Sequence, residues 1–478
     1  LLVYSGNHQI SIERDQIDQT RLIAGINDFN FAWHLEPGEE FQTPEAITVF
    51  STKGLNGMSQ AFHHLLRERV ARGKFKYADR PIVINNWEAT FFDFDDQKLD
   101  EVVKEAQPLG IEMFVLDDGW FGHRNDDNSS LGDWFVNHDK VNLQRVAKQT
   151  HDAGMKFGLW FEPEMVSVDS KLYREHPDWA LAEPGRGSTL SRNQLVLDFS
   201  RPEVVDNIFD QMCQILDNVP IDYIKWDCNR NLTEVFSQAA AADHQGEIAH
   251  RVILGVYDLM DRLTKRYPDI LFEGCSGGGG RFDAGILYYM PQSWPSDDTD
   301  AGERLKIQDG TSLVYPISSM SAHVSVSPNQ QTGRDISFKT RGDVAMAGVF
   351  GYELDLADLT DEEKELVKKQ IAFYKKHRHL IQYGDFYRLE SPFKGNTVAW
   401  EFVSPDKSEA LLFMYRKQHT NRMEIVNTKL TALDPHRDYR DEDSQAVYGG
   451  DELMNVGLFR DPTHVGDYLS EVHYFKEI

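Results

Sequence analysis

Residues 223–231 read YIKWDCNRN. The stretch opens with the apolar and aromatic weight of a buried strand and then sets down Lys225, Asp227 and Asn229. Side chains two apart on a strand share a face. Lys225, Asp227 and Asn229 are therefore expected on one side, with Trp226 and Cys228 on the other. A single Lys-x-Asp at a strand end is ordinarily a structural ion pair, but here the pattern recurs. Short apolar runs ending in acids or indoles stand at 81–87 (PIVINNW), 112–120 (EMFVLDDGW), 156–164 (KFGLWFEPE), 271–278 (LFEGCSGG), 293–298 (SWPSDD), 321–326 (SAHVSV) and 345–356 (AMAGVFGYELDL). Helical stretches such as Pro202–Leu216, Ile248–Arg266 and Asp361–Leu380 separate most of them. With 223–227 this makes eight strand–helix units in about 300 residues, which predicts an α/β protein of the (β/α)8 TIM-barrel type. A doubly wound sheet is the rival, but no glycine fingerprint opens a first helix.

Working outward, residues 1 to about 50 alternate in the manner of antiparallel strands (LLVYSG, QISIERD, TRLIAGI, FNFAWHL, EAITVFS), and the pattern turns helical from Met58 to Arg72. Alternation returns after Tyr383 in FYRLES, TVAWEFV, EALLFMYR and SEVHYF, the texture of a small C-terminal antiparallel β-sandwich. The expected division is strands of an N-terminal β-sandwich at 1–57, a helical linker at 58–80, the barrel at 81–382 and the C-terminal β-sandwich at 383–478.

A formal net charge of −27 repels nucleic acid and anionic membranes and suits a neutral small-molecule substrate. No apolar run is long enough to span a bilayer. Three cysteines (213, 228, 275) make no disulfide framework and lack zinc spacing, which fits a reducing, cytoplasmic compartment. The chain begins in mid-strand without an initiator methionine or a signal layout, so it is expected to be part of a longer protein.

Barrel enzymes build their sites at the C-terminal rim of the strands. That rim would collect Trp87 and Glu88, Asp117 and Asp118, Trp160 with Glu162 and Glu164, Lys225 and Asp227, Cys275 with its glycines, Asp297 and Asp298, His323, and Tyr352. Carboxylates beside tryptophans suit a sugar, whose C–H face stacks on indole and whose hydroxyls want charged partners. Glycoside hydrolysis needs two carboxyl groups flanking one bond. Lys225 favours the ionised form of Asp227, and the acids around Asp297 raise its proton affinity, as a general acid requires. Asp298 and Asp300 are its alternatives or helix caps. Glu162 and Glu164 read as supports or metal ligands, His323 as a satisfied rim histidine or a binder, and Cys213 as core. The run CSGGGGRFD (275–283) lacks a P-loop ending and reads as bare backbone that a ligand approaches closely.

The strings VLDDGWFG, GLWFEPEMVS, SRNQLVLDFSR, YIKWDCNRNLTE, CSGGGGRFDAGILYYMPQ, SDDTDAGERLKIQ and MSAHVSVSPNQQTGR resemble the family 36 glycoside hydrolases, more narrowly the retaining bacterial α-galactosidases among them. The resemblance implies Asp227 as nucleophile of a covalent galactosyl-enzyme and Asp297 as general acid/base. It implies Asp117 and Asp118 on the C4 and C6 hydroxyls, and Lys225, Arg192 and Asn229 on others. Trp87 and Trp160 would wall the sugar, with Cys275 and Gly278 by the C2 hydroxyl. It implies no metal or organic cofactor, melibiose- or raffinose-type substrates, a homotetramer, and a larger β-sandwich before the barrel of which only the last strands are present. An α-N-acetylgalactosaminidase, a metal-dependent barrel isomerase or lyase, and a non-catalytic sugar-binding barrel are the competing functions.

Overall fold

The computed structural model describes residues 1–421, 427–461 and 464–478. Eight parallel strands lie at its centre: β1 (Val83–Asn85), β2 (Met113–Leu116), β3 (Lys156–Phe161), β4 (Tyr223–Trp226), β5 (Leu271–Gly274), β6 (Gln292–Ser293), β7 (Ser321–Ser325) and β8 (Val349–Glu353). Each pairs with the next in chain order from β1 to β6, β7 pairs with β8, and β8 pairs with β1. The ring closes through one parallel bridge, Ser293 to Met320, so the sheet is a barrel.

Alternation decides what fills it. Val83, Met113, Val115, Tyr223 and Leu271 form a separate inner cluster that plugs the barrel floor. Gly158 makes room for it, since a Cβ there would lie 2.7 Å from the Tyr223 ring. The alternate residues Ile84, Phe114, Leu116, Leu159, Ile224 and Phe272 face outward into the large core shared with the helices. Two positions on from Val115 and Tyr223, the inward places are taken by Asp117 and Lys225, and the next by Asp227. The polarity of the rim is thus the continuation of an apolar inner column.

A helix follows each strand: Asp96–Ala106, Leu143–Asp152, Pro202–Leu216, Ile248–Arg266, Ala284–Tyr289, Ala301–Thr311, Phe338–Met346 and Asp361–Tyr383. Asp95, Asn142, Asp283, Asp300, Ser337 and Thr360 accept backbone N–H bonds at their N-termini, and Thr360 completes a capping box with Glu363. The last helix runs into a six-stranded antiparallel sheet ordered 385–390, 397–403, 409–416, 469–477, 438–441, 447–449. A two-stranded pair, 427–428 with 458–459, lies beside it.

Several sequence expectations need correction. The run at 293–298 is strand only to Ser293, because Pro295 has no N–H for a ladder. Trp87 stands in a short helix, Trp87–Thr90, rather than on β1; the Asn85 side chain accepts from the Trp87 N–H (2.7 Å) and turns the chain. Residues 345–346 belong to a helix, not to the eighth strand. FNFAWHL is irregular: Phe31 and Trp33 pack on the His250 ring instead of joining a sheet. The N-terminal hairpin, His8–Arg14 with Thr20–Ile26, is regular but open to solvent, with Ile12 69% exposed. Among the described residues no helix is long and apolar enough to cross a membrane.

Candidate active site

At the C-terminal ends of the strands lies a cavity of ≈ 230 Å³, lined by Trp87, Glu88, Phe91, Asp117, Asp118, Trp160, Arg192, Lys225, Asp227, Asn229, Trp294, Asp297, Thr299, Gln330, Gln331 and Glu353. It is smaller than the roughly 300–1,000 Å³ of drug-sized ligand pockets, a volume for one sugar ring rather than an oligosaccharide. Larger hollows of ≈ 620, 640 and 890 Å³ lie elsewhere, but neither Asp227 nor Asp297 is on their walls.

Asp227 follows β4 directly. Its Oδ1 accepts the backbone N–H of Cys228 (2.8 Å) and Gly277 (3.2 Å). Its Oδ2 accepts the Trp160 indole N–H (3.2 Å) and the Asn229 amide (2.8 Å). Burial opposes the charge, but Lys225 and these donors outweigh it and hold the carboxyl below its usual range. The Lys225 ammonium binds Asp117 Oδ2 at 2.8 Å, and Asn85 donates to the same oxygen at 2.7 Å. Asp118 is held by a bidentate pair with the buried Arg124 at 2.7 and 2.8 Å.

Asn229 ties several groups together. Its amide nitrogen reaches Asp227 Oδ2 and also Glu162 Oε2 (2.9 Å), while its oxygen accepts from Arg192 at 2.8 Å. Glu162 is fully buried, and burial together with the Asp227 charge pushes it up to about 8. Its oxygens accept from the Gln194 amide (2.7 Å) and from the Asn229 backbone and side-chain N–H groups. Glu164 is a support as well, accepting the Trp226 indole at 2.8 Å and pairing bidentately with Arg281.

Asp297 projects into the cavity from the loop after β6. Its side chain is open to water although protein surrounds the loop. The protein packed around it and then the charge on Asp227 raise its proton affinity, Lys225 opposing. The Trp294 indole donates to Asp297 Oδ1 at 3.1 Å. Asp298 accepts the Asp300 N–H, and Asp300 caps the next helix and pairs with Arg334; both are occupied in shaping the loop.

The glycine run bridges the two aspartates. Gly277 donates to Asp227, and a Cβ at Gly278 (φ +84°) would fall 2.5 Å from the Asp297 backbone nitrogen. Cys275 is buried behind Asp227 and does not line the cavity; neither does Gly278. Every other residue singled out for substrate contact does line it. Tyr352 points away, bonding Gln370 at 2.9 Å, and β8 contributes Glu353 instead. Glu353 pairs with His323 (3.0 Å), whose ring lies 4.5 Å from Trp294. The reading of the sequence passed over Phe91, Trp294, Thr299, Gln330, Gln331 and Glu353, and named Glu88 only as a strand end. Glu88 bonds Thr299 at 2.8 Å and is pushed up to about 8 by burial and by Glu353. Strand register was the available signal for Glu353, which shares the inward face with Gly351; nothing in the sequence announces Phe91, a non-glycine residue at φ +47°.

Among the described residues no group of three or more His, Cys, Asp or Glu is arranged to hold a metal. Asp117, Asp118, Asp227 and Glu353 are engaged by nitrogen partners, and Glu88 accepts the Thr299 hydroxyl. The arrangement sets a carboxyl held below its usual range, Asp227, and one of raised proton affinity, Asp297, on a cavity walled by indoles.

The Melibiase profile matches residues 40–384, the profile of the glycosyl hydrolase family 36 C-terminal domain matches 397–475, and that of its N-terminal domain matches 1–36. The chain is 57% identical to alpha-galactosidase 1 of Pediococcus pentosaceus, all of this chain covering 65% of that protein. It is 55% identical to alpha-galactosidase AgaA of Geobacillus stearothermophilus, again over 100% and 65%. A crystal structure of a substituted form of that enzyme in complex with raffinose superposes with a TM-score of 0.98, at 54% identity over 100% of this chain and 66% of that one. A complex of another substituted form with stachyose superposes equally well. The chain thus spans 65% of the length of the first curated relatives it matches.

Proposed function

The chain belongs to glycoside hydrolase family 36, and from that premise we propose that it is a retaining α-galactosidase acting on melibiose and raffinose-type ends. One observation carries the proposal: a carboxyl held ionised, Asp227, and a carboxyl of raised proton affinity, Asp297, on the wall of one cavity of single-sugar size. In the proposed reaction Asp227 attacks the anomeric carbon while Asp297 gives its proton to the departing glycosidic oxygen. A β-galactosyl ester forms on Asp227. Asp297, now a carboxylate, takes a proton from water, and the water oxygen displaces the ester to release α-galactose. Asp117, Asp118, Lys225, Arg192 and Asn229 would bind the hydroxyls. Trp87 would wall the ring, and Trp160 would both wall it and hold Asp227. Cys275 and Gly278 would shape the C2 side from behind. No cofactor enters this chemistry.

The same reading divides the chain at 1–57, 58–80, 81–382 and 383–478, supported by the helix Asp361–Tyr383 leading directly into the strand Asp385–Glu390. Three free cysteines support a cytoplasmic location. The apolar, exposed hairpin supports self-association, which sedimentation would test.

The deciding experiment replaces Asp227 by glycine. Turnover of an aryl α-galactoside should fall by at least about 10³-fold, and azide should restore it as β-galactosyl azide. An α-configured azide product, or undiminished turnover, would overturn the assignment.

A further inference from the structure

We propose, resting on that reading, that Arg304 is a positioning residue for Asp297: its guanidinium fixes both the loop that presents the acid/base carboxyl and the indole that orients it. Arg304 is 2% exposed, on the helix Ala301–Thr311 that follows the loop. Its Nε donates to the Asp298 carbonyl at 2.8 Å and its Nη2 to the Ser296 carbonyl at 2.9 Å, so it grips the carbonyls of the residues before and after Asp297. Its Nη1 donates to the Ser321 carbonyl of β7 at 3.1 Å, anchoring the loop to the barrel wall. The guanidinium carbon lies 4.2 Å from the Trp294 ring centroid, and that indole donates to Asp297 Oδ1 at 3.1 Å. The carboxyl is therefore oriented from both its backbone and its side chain by one planar cation.

This geometry exceeds what helix stability requires. The helix is already capped by Asp300, and Arg304 directs its donors to three backbone carbonyls rather than to a carboxylate. Three divergent carbonyls and a ring face match a flat fork of donors, which an ammonium cannot reproduce. Asp227 and its donors Trp160, Cys228 and Asn229 lie in β3 and just after β4, and Arg304 bonds none of them.

The test compares substrates that need an acid with one that does not. Arg304→Met and Arg304→Lys in the full chain should lower kcat/KM on melibiose by about 10²-fold, the low end of general-acid contributions. On 2,4-dinitrophenyl α-galactoside, kcat/KM should stay within about threefold, while kcat and KM fall together as the galactosyl-enzyme accumulates. Azide should restore that kcat and give the α-azide. Loss of folded protein would lower both substrates alike, so the ratio is immune to it. If the methionine variant does not fold, the lysine variant, which keeps the charge but not the planar fork, should show the same split. Equal slowing of both substrates overturns the inference. A wild-type chain that cleaves no α-galactoside overturns the functional reading itself, before Arg304 is in question.

Discussion

Gly278 shows how closely the two aspartates are tied. Its left-handed backbone disfavours any side chain, and a methyl group there would meet the Asp297 amide. Gly278→Ala should therefore shift Asp297 away from Asp227 and, on the proposed function, lower kcat/KM on melibiose by about 10²-fold with the fold retained; kinetics beside circular dichroism would check it. At this scale the sequence was legible wherever alternation reached the rim. Lys225, Asp227, Asp117 and Trp160 follow from counting by twos along apolar runs. Trp294 and Gln331 were not legible, since loops have no period and their contacts come from elements distant in the chain.

Among elements, the strand Thr397–Val403 buries Glu401 completely. One of its oxygens accepts the Thr431 N–H at 2.9 Å. Burial pushes this carboxyl up to about 7 from its ordinary value near 4.5, against the Thr431 and Ala432 amides. A raised carboxyl binds its proton in the folded chain where the unfolded chain has lost it. Its contribution is whole below about pH 4.5 and is lost as pH rises through about 7, on the order of 3 kcal/mol. Glu401→Gln should then unfold at higher urea than the parent at pH 8 and at similar urea at pH 4.5. Elements with strong periodicity were readable to the residue, as in Pro202–Leu216 and Ile248–Arg266. The short β6 and the irregular segment around Trp33 were not. Aromatic content alone does not distinguish a strand from a coil packed on a helix.

At the scale of the whole molecule, the barrel was legible because eight apolar runs share one cadence, while the manner of its closure was not. β5 meets β6 over two residue pairs, and β6 meets β7 through the single Ser293–Met320 bridge. Side chains reinforce that join: Gln292 reaches Ser321 at 3.2 Å and Glu273 at 2.6 Å, and Ser321 also bonds Glu273. Asp297 and its supporting arginine are mounted beside this thinnest seam, whereas Asp227 rises from a strand paired along its full length on both sides.

Warming should therefore loosen the hinge side of the ring first. The proposed activity would fall silent some degrees before the ellipticity melts, and chilling would bring it back. A thermal record in which both signals vanish together would mean that the clasp is as firm as the rest of the hoop.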